Sequence, residues 1–182
     1  MNAFEIKIPE DRLRTAQIIA FAMPTGCAGF IAIITTIMEP LGPPFNFEID
    51  ILLWVLIGQC AMLLPAAGII PSLVYKQLAK QKFANVPLLE AIEKESRGEV
   101  QPVQINQFMQ IFQTRMIIGS ALIEGIVLFG AVTYLVNQTI IGLAIAGLLT
   151  IVLYTRFPTL TSVQNSLANL ASEQEYKRSQ KV

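Results

Sequence analysis

Long charge-free runs alternate with short polar stretches along this chain. Thr15 to Met38, Ile51 to Tyr75 and Asn137 to Thr155 hold no charged residue, and Met116 to Val136 holds one, Glu124. A helix needs about 20 apolar residues to cross about 30 Å of hydrocarbon. The pattern therefore predicts four transmembrane helices, at about 15–38, 51–75, 116–136 and 137–157. The runs are rich in Ile, Leu, Ala and Gly, without the every-second-residue alternation of barrel strands. The expected fold is all-α: an integral membrane four-helix bundle in a single membrane domain, 1–182.

The polar stretches predict shorter elements. The connection EPLGPPFNFEID, 39–50, reads as a stiff turn with Phe45 and Phe47 at the membrane surface. In the long loop 76–115, Asn85 and Pro87 look like a helix start and Gly98 like a stop. Ile105, Phe108, Met109 and Phe112 then fall at i, i+3, i+4 and i+7, one face of an amphipathic helix. That helix either lies on the headgroups or runs directly into the third span. In the tail, 158–182, Val163, Leu167 and Leu170 predict a further amphipathic helix, for the membrane surface or for a partner. Trp54, Tyr75, Tyr134 and Tyr154, near span ends, read as interfacial anchors.

Charge gives the spans a direction. Lys7, Arg12 and Arg14 precede the first span; Lys76, Lys80, Lys82, Lys94, Arg97 and Arg115 lie between the second and third; Arg156, Lys177, Arg178 and Lys181 follow the fourth. These are all 13 basic residues, and 39–50 carries three acids and no base. Basic residues stay on the cytoplasmic side. Both termini and the loop 76–115 are expected there, in the cell inner membrane. No cleavable signal is expected. Thr25-Gly26-Cys27 faintly resembles a lipoprotein cleavage site, but Pro24 replaces the usual aliphatic residue and the chain stays apolar after Cys27.

Composition narrows the chemistry. Of 182 residues, 53% are hydrophobic and 14% charged, with mean hydropathy +0.56; a soluble domain is nearer about 25% charged. With no histidine and two cysteines, Cys27 and Cys60, His-based metal sites and Ser-His or Cys-His nucleophile pairs are excluded. No enzyme activity, cofactor or nucleic-acid partner is expected. The partners implied are the lipid bilayer and either further copies of the chain or a membrane partner subunit.

Glu124 is the residue that needs explaining. It lies eight residues past Met116, which puts it about 12 Å into the membrane at about 1.5 Å per residue. A carboxylate there costs about 2.5–3.5 kcal/mol, and burial favours its protonated form. At matching depth lie Pro24 and Thr25 on the first span and Pro65 on the second. The two prolines deprive the carbonyls of Ala20 and Ala61 of helical donors. Ser120 shares a face with Glu124, and Gly142 and Ala146 offer a small-residue seam on the fourth span. Glu124, Ser120, Thr25, Pro24 and Pro65 form a candidate proton or cation site. The plainer alternative makes Glu124 a hydrogen-bonding tie between helices.

ALIEGIVLFGAVTYLV, 121–136, resembles the second helix of the rotary ATP synthase proteolipid (c) subunit. That family carries one membrane carboxylate after a small-apolar-apolar run, followed by an aromatic and a glycine; here these are Ala121, Leu122, Glu124, Phe129 and Gly130. The resemblance implies a proton or sodium carrier at Glu124. It is local: the first span lacks the family's repeated glycines, and its Arg-Gln-Pro loop is missing. The whole chain looks like the small four-span bacterial membrane proteins, a likeness that implies a location but no activity. The expected role is a structural or accessory subunit of a membrane assembly, with an oligomeric proton- or cation-conducting protein as the alternative.

Overall fold

The computed structural model describes residues 8–38, 51–83 and 103–179. Five helices make up almost all of this, with no strand among the described residues: α1 Glu10–Met38, α2 Ile51–Phe83, α3 Val103–Asn137, α4 Ile140–Thr155 and α5 Leu160–Ser179. The turn with Phe45 and Phe47, and the helix expected between Asn85 and Gly98, lie outside the described residues.

Three helices are long and apolar enough to cross a membrane: α1, α2 and α3. A fourth candidate exists only if α4 and α5 are counted as one broken span. The reason is length. α4 has 16 residues, about 24 Å at about 1.5 Å each, short of the hydrocarbon thickness. All three long helices continue past the apolar runs. α1 starts at Glu10, where Glu10 and Asp11 in its first turn complement the helix dipole. α2 continues to Phe83, with Lys80 and Lys82 at its carbonyl end. α3 starts at Val103, so the amphipathic stretch at 105–112 is one continuous helix with the apolar run that follows. Pro24, Pro65 and Pro71 all sit inside helices.

Two breaks have local causes. Gln138 adopts φ 54 between α3 and α4, and its N–H bonds the Tyr134 carbonyl at 2.8 Å. Between α4 and α5, Pro158 keeps Phe157 out of helical conformation. Thr159 then caps α5, its Oγ1 accepting from the Ser162 N–H at 3.2 Å.

The residues divide into two compact units. The first draws on 8–17, 73–83, 103–115 and 158–179. Its core holds Tyr75, Phe83, Ile105, Phe108, Met109, Phe112, Val163, Leu167 and Leu170. The apolar faces read for a membrane surface or a partner thus cover one another. Tyr75 is likewise a core residue and not an interfacial anchor: its ring meets Phe108 edge-on, centroids 6.4 Å apart, and its hydroxyl donates to the Ser166 carbonyl at 3.4 Å. Arg115 lies over that ring, 5.2 Å from its centroid.

The second unit comprises 18–38, 51–72 and 116–157 of the described residues. Its core runs through Cys27, Ile34, Leu53, Leu56, Ala67, Ile123, Ile126, Val127, Ala131, Ala146, Leu149 and Leu153. α3 is its most enclosed helix, with 44% of its apolar window buried against 17% for α1 and for α2. α3 and α4 touch backbone to backbone. A Cβ at Gly130 would stand 2.9 Å from the Gly142 carbonyl oxygen, and one at Gly142 would stand 2.7 Å from that of Gly130. Gly142 and Ala146 are therefore the face α4 turns to α3, as their spacing predicts.

Candidate functional site

α3 carries Ser120 and Glu124 one turn apart in the second unit. Ser120 is buried and Glu124 half-buried, at the margin of a stripe formed by Ile123, Ile126, Val127 and Ala131. On α1, Ala16, Ala20, Pro24 and Cys27 form the buried side. Glu124 lies within electrostatic reach of Cys27. Among the described residues Glu124 has no ion pair and no hydrogen bond.

The other predicted members have their own surroundings. Pro24 is buried on the same side of α1 as Cys27. Thr25 is exposed; its hydroxyl donates to the Phe21 carbonyl at 2.7 Å and lies 3.3 Å from the Tyr154 hydroxyl on α4. The Tyr154 ring also meets Phe21, centroids 6.1 Å apart, so this corner joins α1 to α4. Pro65 is exposed on α2. Cys27 was not read from the sequence as a neighbour of Glu124. Its position three residues past Pro24, on one helix face, is the signal that could have found it.

A second polar locus lies where α2, α3 and α4 meet. A Cβ at Gly119 would stand 3.2 Å from Nη1 of Arg156, 3.3 Å from Cγ of Pro71 and 3.4 Å from the Ala67 carbonyl oxygen. Pro71 has no N–H to give Ala67, four residues before it, so that carbonyl lacks its helical donor. The side-chain carbonyl of Gln59 on α2 is buried with no hydrogen-bond partner among the described residues, as are the Asn137 amide nitrogen and the Thr139 hydroxyl at the α3–α4 turn. No group of three or more potential metal ligands occurs among the described residues.

Chemically, the Glu124 locus offers one carboxylate, one hydroxyl and one thiol in apolar surroundings. It can hold a proton, or contribute one oxygen ligand to a cation. Comparison with protein-family models, curated proteins and solved structures finds no match to this chain.

Proposed function

We propose that the protein is a structural or accessory subunit of a membrane assembly. In this reading it is a multi-pass four-helix bundle of the cell inner membrane, with both termini cytoplasmic. The side of the basic residues supports the orientation. One observation carries the role: α2 turns a line of small residues, Gly58, Ala61, Pro65 and Gly68, away from its own core. A Cβ at Gly58 or Gly68 would meet nothing within 4 Å. Small residues give little contact to lipid chains but let another helix come close. The partner is a second copy or a different membrane subunit.

The test fills that surface. Gly58→Leu with Gly68→Leu fits the chain's own packing, since both positions are open. The wild type is expected to migrate as an assembly after mild extraction, and the double variant as a folded monomer. A wild type that is monomeric by cross-linking in its membrane, or a double variant that assembles as before, refutes the role.

A second reading rests on Glu124, half-buried without a partner among the described residues, and on the local resemblance of 121–136 to the c subunit. It makes the protein an oligomeric proton or cation conductor. Glu124→Gln would then abolish pH-dependent flux in proteoliposomes while leaving assembly intact. Equal flux in the variant and the wild type eliminates that reading.

A further inference from the structure

The described part of the second unit contains two charged residues, Glu124 and Arg156. Arg156 is exposed and has no ion-pair partner among the described residues. Its backbone N–H closes the end of α4 on the Leu153 carbonyl at 3.2 Å, and the N–H of Phe157 closes on that of Tyr154 at 3.4 Å. Its guanidinium has a definite seat. Nη1 lies in the notch left by the missing side chain of Gly119, 3.2 Å from the point a Cβ would occupy, and Pro71 Cγ and the Ala67 carbonyl oxygen line the same notch at 3.3 and 3.4 Å from that point. The notch thus places one edge of the guanidinium, and the residue's exposure leaves further donors of its five open.

In a bilayer, an unpaired guanidinium among apolar side chains draws an anion to itself. The residues near the notch in sequence are apolar and turned outward: Ile70 is 42% exposed, Ile117 39% and Phe157 43%. A soluble anion gains nothing from that surface. A phospholipid gains on both counts, its phosphate on the guanidinium and its acyl chain along Ile and Phe. Arg suits phosphate because its planar fork can give two parallel bonds. Basic pockets between membrane helices hold anionic headgroups by this charge complementarity.

We propose that Arg156 binds the headgroup phosphate of an anionic phospholipid in a notch built by Gly119 and Pro71. The site rests on membrane insertion and on neither functional reading above, so it stands or falls apart from them. The test is native mass spectrometry of the purified full chain titrated with phosphatidylglycerol. One saturable lipid is expected on the wild type, with phosphatidylcholine weaker and inorganic phosphate not displacing it. Loss of a charge-assisted contact should weaken binding about tenfold or more in Arg156→Gln. Arg156→Lys keeps the charge and should keep saturable binding. Binding by Arg156→Gln within twofold of wild type, equal binding of phosphatidylcholine, or displacement by inorganic phosphate overturns the proposal. Should neither variant fold, photoactivatable phosphatidylglycerol on the wild type decides: label at 117–119 or 156–157 supports the site, and label only elsewhere refutes it.

Discussion

Gly142 is the position at which one methyl group should do the most damage to the second unit. A Cβ there would stand 2.7 Å from the Gly130 carbonyl oxygen, where ordinary contact begins at 3.4 Å, so α3 and α4 would have to part by the difference, 0.7 Å. The obstacle is backbone on a buried helix and cannot swing aside. Thr133 Cβ and Tyr134 N, each 3.3 Å from the same point, close the other sides. Forcing a methyl group into packing of this kind costs about 1–3 kcal/mol. The reciprocal approach at Gly130 means that each glycine aims a Cα hydrogen at the other's carbonyl, and separating the helices forfeits two such contacts at about 0.5–1 kcal/mol each. Alanine returns about 1 kcal/mol of helix propensity. The net expectation for Gly142→Ala is a loss of about 1–4 kcal/mol. Gly147, on the same helix, has nothing within 4 Å of its Cβ direction, so Gly147→Ala should be neutral or gain up to about 1 kcal/mol. Both are measured by titrating dodecyl sulfate into mixed micelles and following the loss of helix by circular dichroism. A Gly142→Ala protein as stable as Gly147→Ala refutes the backbone contact.

Two further outcomes are expected. Gln138 holds φ 54 at the α3–α4 turn, a left-handed conformation that costs a side-chain-bearing residue about 1–2 kcal/mol; Gln138→Gly should raise the same unfolding midpoint, by about 1 kcal/mol once the added chain freedom of glycine is subtracted, and a lowered midpoint contradicts this. Phe108 is fully buried in the first unit between Tyr75 and Phe112, so Phe108→Ala should destabilise that unit by about 3–5 kcal/mol. Trypsin should then cut faster at Lys80, Lys82 and Arg115, while Phe157→Ala, at an exposed position, leaves the cleavage rate unchanged; equal rates in all three proteins would show that Phe108 holds no core together.

The helices themselves were legible because their signal is local. Long apolar runs, charge-free except for Glu124 in the third, located α1, α2 and α3, and the spacing of Gly142 and Ala146 marked the small-residue face of α4 that meets α3. What the sequence concealed is which apolar faces meet each other. Tyr75 at the end of a greasy run looks like an anchor, and only the fold brings it against Phe108 and Ser166. Val163, Leu167 and Leu170 fit a lipid surface and a protein core equally well by period, because both demand the same apolar stripe. At the candidate site, depth could be counted along each helix but rotation could not. Thr25 and Pro24 are neighbours in sequence, yet about 100° apart around the helix; Pro24 is buried and Thr25 meets Tyr154. Pro71 escaped notice because its consequence, an undonated Ala67 carbonyl, matters only once Gly119 and Arg156 are beside it.

Glu124 and Arg156 have opposite charge and share one apolar unit, so the absence of an ion pair between them among the described residues needs a reason. The helix supplies one. Arg156 is seated at Gly119, and Glu124 lies five residues farther along α3, about 7.5 Å of axial rise and about 140° around the helix. Pairing would pull Arg156 out of its notch and drag both charges through apolar side chains, against a desolvation cost of several kcal/mol per ion. Each charge therefore has to be met separately. Arg156, at the end of α4, can reach an anion that the membrane surface supplies. Glu124, in the middle of α3, has no such source, and a neighbouring group has to meet it. It is half-buried on the most enclosed helix of the unit, without a hydrogen-bond partner among the described residues. The two functional readings differ in what meets it: a polar group on a neighbouring subunit in an assembly, or the transported proton or cation in a conductor.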